Sequence, residues 1–133
     1  MIAPPLRLLI VDSCNEFRAT MLSIAASHGM RATDAPCVTK VSSRLQRGRF
    51  DFVIAQLRTD LTRNVAMLMA IHINAAIPIL FVGPRGMPPM PPEFYDWADE
   101  ILVPFAVDSL LDRIAKLSAR NRAAATATSI RAP

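Results

Sequence analysis

Apolar and polar positions in this chain fall into blocks that fit strands and helices in alternation. Phe52–Ala55 is four apolar residues without a polar break, entered through a turn at Gly48 and Arg49 and closed by Gln56. A strand half open to water alternates; a continuous run marks a parallel strand covered on both faces. Leu6–Val11, ending at Asp12, and Pro78–Val82, ending at Gly83, read the same way. Pro78 stands at the first residue of its strand, where no ladder donor is needed. Glu100–Val103, stopped by Pro104, and the weaker Met30–Thr33, expected at a sheet edge, complete five strands.

Between the strands the apolar period changes to three and four, the signature of amphipathic helices. The first carries Phe17, Met21, Leu22, Ile24 and Ala25, with Ser13 or Asn15 as its cap and Gly29 as its end. Val38, Val41 and Leu45 stripe a second helix, and Val65, Leu68, Met69 and His72 a third, after a polar loop at Leu57–Arg63. Leu110, Leu111, Ile114 and Leu117 stripe the last, with Asp108 near its start and Lys116, Arg120 and Arg122 near its end, as the helix dipole favours. Gly83–Pro92 holds five prolines and two glycines and cannot form a regular helix. Only Pro91–Ala98 is expected to make one or two helical turns. Five strand–helix units with right-handed crossovers predict an α/β, flavodoxin-like doubly wound sheet, (βα)5, in strand order 2-1-3-4-5. Its expected extent is residues 6–118, with 1–5 a disordered lead and 119–133 a helix end and basic, disordered tail.

Composition narrows the partners. The chain has 133 residues, enough for one domain, and a net charge of +4. Residues 1–105 carry ten basic and nine acidic side chains, so most of the excess lies in the last helix and tail. Nucleic acid needs a clustered basic face, and this chain alone does not predict one. Val65–Val82 passes eighteen residues without a charge, but His72, Asn74 and Pro78 divide it into a helix and a strand rather than a membrane span. Nothing marks a signal peptide, and Cys14 and Cys37 lack metal spacing, so reduced thiols in the cytoplasm are expected.

Functional groups of open α/β sheets gather at the carboxyl ends of the strands. Here those ends carry Asp12, Gln56, Gly83 and Val103. Gln56 holds the central position, and an amide has almost no catalytic chemistry. Asp12 alone is a poor cage for Mg²⁺, which wants several hard oxygen ligands. Cys14 has no basic neighbour in sequence to activate it, and Cys37 reads as a small apolar residue at a helix start. His28 and His72 have no partner at motif spacing. Gly83–Gly86 includes a proline and is no phosphate cradle. No cofactor, no metal and no enzymatic activity are expected.

In order and spacing, Leu-Leu-Ile-Val-Asp12, Phe-Asp-Phe-Val-Ile-Ala-Gln56, Ile-Pro-Ile-Leu-Phe-Val-Gly83 and Ala98-Asp-Glu-Ile-Leu-Val-Pro104-Phe105 resemble the receiver domain of bacterial two-component response regulators. The resemblance implies a phosphoryl group taken from a histidine kinase onto an aspartate after the third strand. It also implies two acidic residues for Mg²⁺ after the first, a Ser or Thr after the fourth, and a Lys before the fifth-strand proline. This chain departs at nearly every one of those positions. Ser13 stands for the second acid, Gln56 for the nucleophile, Gly83 for the hydroxyl, and Val103 directly precedes Pro104. Phosphoryl transfer rests on positioning and charge neutralisation, and here those groups are missing.

The expectation is therefore a degenerate, non-phosphorylatable receiver in bacterial signal transduction, acting by protein–protein interaction or self-association. The resemblance places docking on the face of the fourth helix, fifth strand and fifth helix. Met87, Met90, Phe94, Tyr95 and Trp97 supply interface-type side chains there, with Ile101 at the family's aromatic switch position. Met87 and Met90 are expected exposed. Alternatives are a phosphorylation-independent transcription regulator, or its amino-terminal piece, and, more distantly, a small enzyme on the same fold.

Overall fold

A computed structural model describes residues 5–74 and 77–131, with side chains described at 5–73 and 77–120. In chain order it runs β1 (Arg7–Val11), α1 (Asn15–Ser27), β2 (Arg31–Ala35), α2 (Val38–Arg47), β3 (Phe52–Gln56) and α3 (Leu61–Asn74). Then follow β4 (Ile79–Gly83), a short 3-10 helix (Pro92–Asp96), β5 (Ala98–Leu102) and α4 (Val107–Arg131). The five strands form one parallel sheet in the order β2-β1-β3-β4-β5, the doubly wound arrangement expected.

The continuous apolar runs split by alternation between two layers. Leu9, Val11, Val53, Ala55, Ile79 and Phe81 pack with Val41 of α2 and Leu68 and Ile71 of α3. Leu8, Ile10, Phe52, Ile54, Leu80 and Val82 pack on the other face with Met21 and Ala25 of α1 and Leu110, Ile114 and Leu117 of α4. Each fully buried Leu, Ile or Phe contributes about 1.5–3 kcal/mol, so β1, β3 and β4 are the stabilising spine of the sheet. The edge strands β2 and β5 are only partly buried.

Element ends differ from the periodic reading where polar chemistry, not burial, sets them. Helix α3 starts at Leu61, inside the expected polar loop. Asp60 accepts from the backbone N–H of Arg63 at 3.2 Å, and Leu61, Thr62 and Arg63 are exposed, where an apolar period cannot register them. Cys14, not Ser13 or Asn15, occupies the N-cap of α1, without a side-chain bond. The fourth helix is a five-residue 3-10 element, because Pro91 and Pro92 bar its extension upstream and β5 begins at Ala98. Helix α4 runs to Arg131, through most of the segment expected to fray. Ala123–Ala125 explains the continuation, since alanine extends a helix without requiring an apolar stripe. Of the expected lead, 1–4 lie outside the described residues, as do 132–133 of the tail. Among the described residues no helix is long and apolar enough to cross a membrane.

Candidate site at the strand tips

Four strands deliver their last residues to one rim. Asp12 directly follows β1 and is buried, its side chain only 4% exposed. Its carboxylate is fully engaged: Oδ2 accepts from the Cys14 backbone N–H at 3.1 Å, and Oδ1 accepts from Arg58 Nη2 at 2.9 Å. The same Nη2 lies 3.4 Å from Ser13 Oγ. The Asp12 carbonyl accepts from Arg18 Nη1 at 2.6 Å, and Arg18 Nε donates to Asp34 at 2.9 Å.

Arg58 reaches Asp12 because its backbone is clamped. Asn64, 2% exposed at the first turn of α3, accepts from the Arg58 N–H through Oδ1 at 3.0 Å. It returns a bond from Nδ2 to the Arg58 carbonyl at 2.8 Å. Both amide ends of one side chain thus fix one residue of the β3–α3 loop, and the guanidinium swings over the tip of β1. A buried carboxylate without a partner is strongly destabilising, so the pair is worth more than an ordinary surface ion pair even with Arg58 half exposed.

Gln56 ends β3 with its Oε1 buried and without a hydrogen-bond partner. Gly83 ends β4 and accepts from the Val103 N–H at 3.0 Å. A Cβ on Gly83 would fall 2.6 Å from the Met87 sulfur and 2.8 Å from its methyl carbon, so the Met87 side chain fills the space a serine or threonine would use. Val103 is 38% exposed, and its peptide bond to Pro104 is cis.

All five positions expected at the degenerate site therefore meet at one rim. Asp12, Ser13 and Gln56 share a cleft of ≈ 260 Å³ with Cys37, Arg58, Arg63 and Asn64. Gln56, Gly83 and Val103 line a second, of ≈ 190 Å³, with Leu57, Arg58, Thr59, Val82 and Pro84. Arg58, Asn64 and Arg18 escape a sequence reading. Arg58 sits in a stretch that reads as polar loop, and its partner lies 46 residues away.

These residues do not fit Mg²⁺. The ion needs several anionic or neutral oxygens, and the one carboxylate at the site already holds a guanidinium. Among the described residues no group of three His, Cys, Asp or Glu is placed to hold a metal.

The expected docking residues are redistributed. Met90 (3% exposed), Phe94 (5%) and Ile101 (7%) are core side chains. Met87, Tyr95 and Trp97 are partly buried against the α2–α3 layer. The expectation that Met87 and Met90 are exposed is thus corrected: Met87 covers Gly83, and Met90 fills the layer beneath the proline-rich loop. Trp97 stacks on His72 of α3, ring centroids 3.9 Å apart and nearly parallel, and Phe94 meets Trp97 at 4.9 Å. Cys37 is exposed at the N-cap of α2 rather than a small apolar filler. A 3.0 Å hydrogen bond with the Thr39 hydroxyl, and then the Lys40 backbone N–H, hold its thiol below the usual cysteine pKa. Cys14 is also exposed, and His28 Nδ1 meets the Ile24 carbonyl at the end of α1.

No family model and no curated protein matches the chain. Solved structures do. A response regulator receiver protein from Pseudomonas putida superposes with a TM-score of 0.67 at 20% identity, covering 86% of this chain and 99% of that one. The chemotaxis protein CheY4 of Vibrio cholerae gives 0.68 at 17%, covering 85% and 98%. NtrX from Brucella abortus gives 0.82 at 16%, with 96% of this chain on 29% of NtrX. The fold of this chain is that of response regulator receiver domains.

Proposed function

We propose that the chain is a receiver-like module of bacterial signal transduction that carries no phosphoryl group and acts through protein contacts. The Arg58–Asp12 pair carries this reading. With Gln56 in the acceptor position, it leaves neither a carboxylate nucleophile nor a vacant anionic site for the divalent ion that phosphoryl transfer uses. A cytoplasmic setting belongs to the same proposal.

The docking surface is proposed at the exposed remainder of the β5–α4 face. Leu102 (40% exposed), Val103 (38%) and Val107 (39%) stand beside one another in sequence around Pro104, near half-buried Phe105. Clustered exposed apolar side chains mark interaction sites more often than scattered ones do. Tyr95 and Trp97 contribute only their exposed edges. A second reading, a regulatory piece of a larger regulator, draws support from the match to under a third of NtrX.

The test has two arms. Intact mass after acetyl phosphate and Mg²⁺ should show no added phosphate, and an adduct would sink the reading of the site. Replacing Leu102 and Val107 together by serine should weaken partner capture or self-association while leaving the melting temperature near that of the parent. Unchanged association would move the surface elsewhere.

A further inference from the structure

We propose that the outer face of α3 pairs with the same face of a second copy of this chain across a two-fold axis. Helices α3 and α4 pack on opposite faces of the sheet, so this surface is separate from the one proposed above. Helix α3 covers the sheet through Leu68 and Ile71, yet its sequence is apolar nearly all round. A helix of that composition is ordinarily covered on every side. Here Leu61 (38% exposed), Met69 (37%) and Ile73 (76%) open to solvent, and Ile73 is the most exposed large apolar side chain among the described residues.

Two rows run along that face. Leu61, Val65, Met69 and Ile73 follow one another at four-residue spacing and form a ridge, exposed except at half-buried Val65. Thr62, Ala66 and Ala70 follow at the same spacing, one residue on, and form a groove in which Thr62 and Ala66 are exposed. Ridges of this spacing pack into matching grooves with helix axes about 8–10 Å apart. A two-fold axis beside Ala66 lays the ridge of each copy in the groove of the other, so one face supplies both halves of the contact. Charge selects the occupant. No Asp, Glu, Lys or Arg occurs from residue 64 to residue 84. Arg63 lines the rim cleft with Asn64 and Met67, and His72 is stacked on Trp97. An isologous contact sets each charge against its own copy, so a face without charge self-associates without repulsion. A charged partner or an anionic membrane finds nothing on this face to pair with. One helix from each copy buries less than the roughly 1,200 Å² of stable complexes, which makes the dimer weak, with a Kd on the order of 100 µM.

The experiment is sedimentation equilibrium of the full chain from about 10 to 1,000 µM, a range that brackets such a constant. The parent should move from monomer toward dimer across it. Ala66→Glu and Ala66→Lys each set a charge against its own copy, so each variant alone should stay monomeric. An equimolar mixture of the two sets opposite charges across the axis and should associate at least about tenfold more tightly than either alone. Ala66 is exposed, so both variants should melt near the parent temperature. Ile73→Ser should raise the Kd of the parent dimer at least about fivefold, again with an unchanged melt. Four results overturn the inference. These are a parent that stays monomeric up to about 1 mM, Ala66 variants that melt and self-associate like the parent, a mixture no tighter than either variant alone, or Ile73→Ser that dimerises like the parent.

Discussion

Gln56 and Asn64 are both amides near the same rim, and the structure treats them oppositely. Asn64 spends both ends of its side chain on Arg58, at 3.0 and 2.8 Å. Asn64→Ala should therefore destabilise the fold by about 1–3 kcal/mol, because it removes a buried side chain that makes two bonds to the β3–α3 loop. Urea unfolding would register it as a lower midpoint at unchanged slope. Gln56 Oε1 has no partner, so Gln56→Leu should raise stability by about 1 kcal/mol, read in the same assay. Gln56→Asp should still take no phosphate from acetyl phosphate, since Arg58 remains where a divalent ion would be needed. Tyr95 provides a pH handle. Burial first, and then the nearby Glu100 carboxylate, raise its phenol above the ordinary tyrosine value. The folded state then holds this proton more tightly than the unfolded chain. Its contribution is complete below the unfolded pKa of about 10 and is lost as pH rises through the folded value. Tyr95→Phe should flatten the alkaline limb of the stability profile, measured by thermal melts between neutral and strongly alkaline pH.

Among the elements, β1, β3 and β4 were legible because burial on both faces writes an unbroken apolar run. Their tips were legible for the same reason, since polarity returns where cover ends: Asp12 and Gln56 mark the rim in sequence and in space. What stayed hidden depends on side chains that reach across. The start of α3 is set by the Asp60 cap, and the site's cation arrives from a loop residue whose partner is 46 positions away. Neither leaves a period in the sequence. The proline-rich loop misleads in another way, because its methionines resemble surface anchors by composition yet lie inward. Met90 is 3% exposed, and Met90→Ala should cost about 2–5 kcal/mol as a core truncation, where a surface anchor would leave the melt unchanged. Trp97, stacked on His72, ties the segment after that loop to α3 and so joins two elements the sequence separates.

For the whole molecule, one parallel sheet carries two unlike layers. The layer of α2 and α3 absorbs the aromatic segment that follows the proline-rich loop. Leu102, Val103 and Val107 remain exposed where β5 leads into α4. A docking partner there would meet a surface continuous with a helix that carries on to Arg131. The Arg58–Asp12 pair governs how such a surface can be used. If the proposed function holds, a domain that carries its own counter-ion as a covalent part of the chain has nothing to gain or lose when magnesium or phosphodonor levels fluctuate. On the reading proposed above, its message is not written and erased on the protein in minutes; it is set by how many copies are present and what fraction of partners they occupy. Under that proposal, control passes to synthesis and degradation, and the domain works as a dose rather than as a switch.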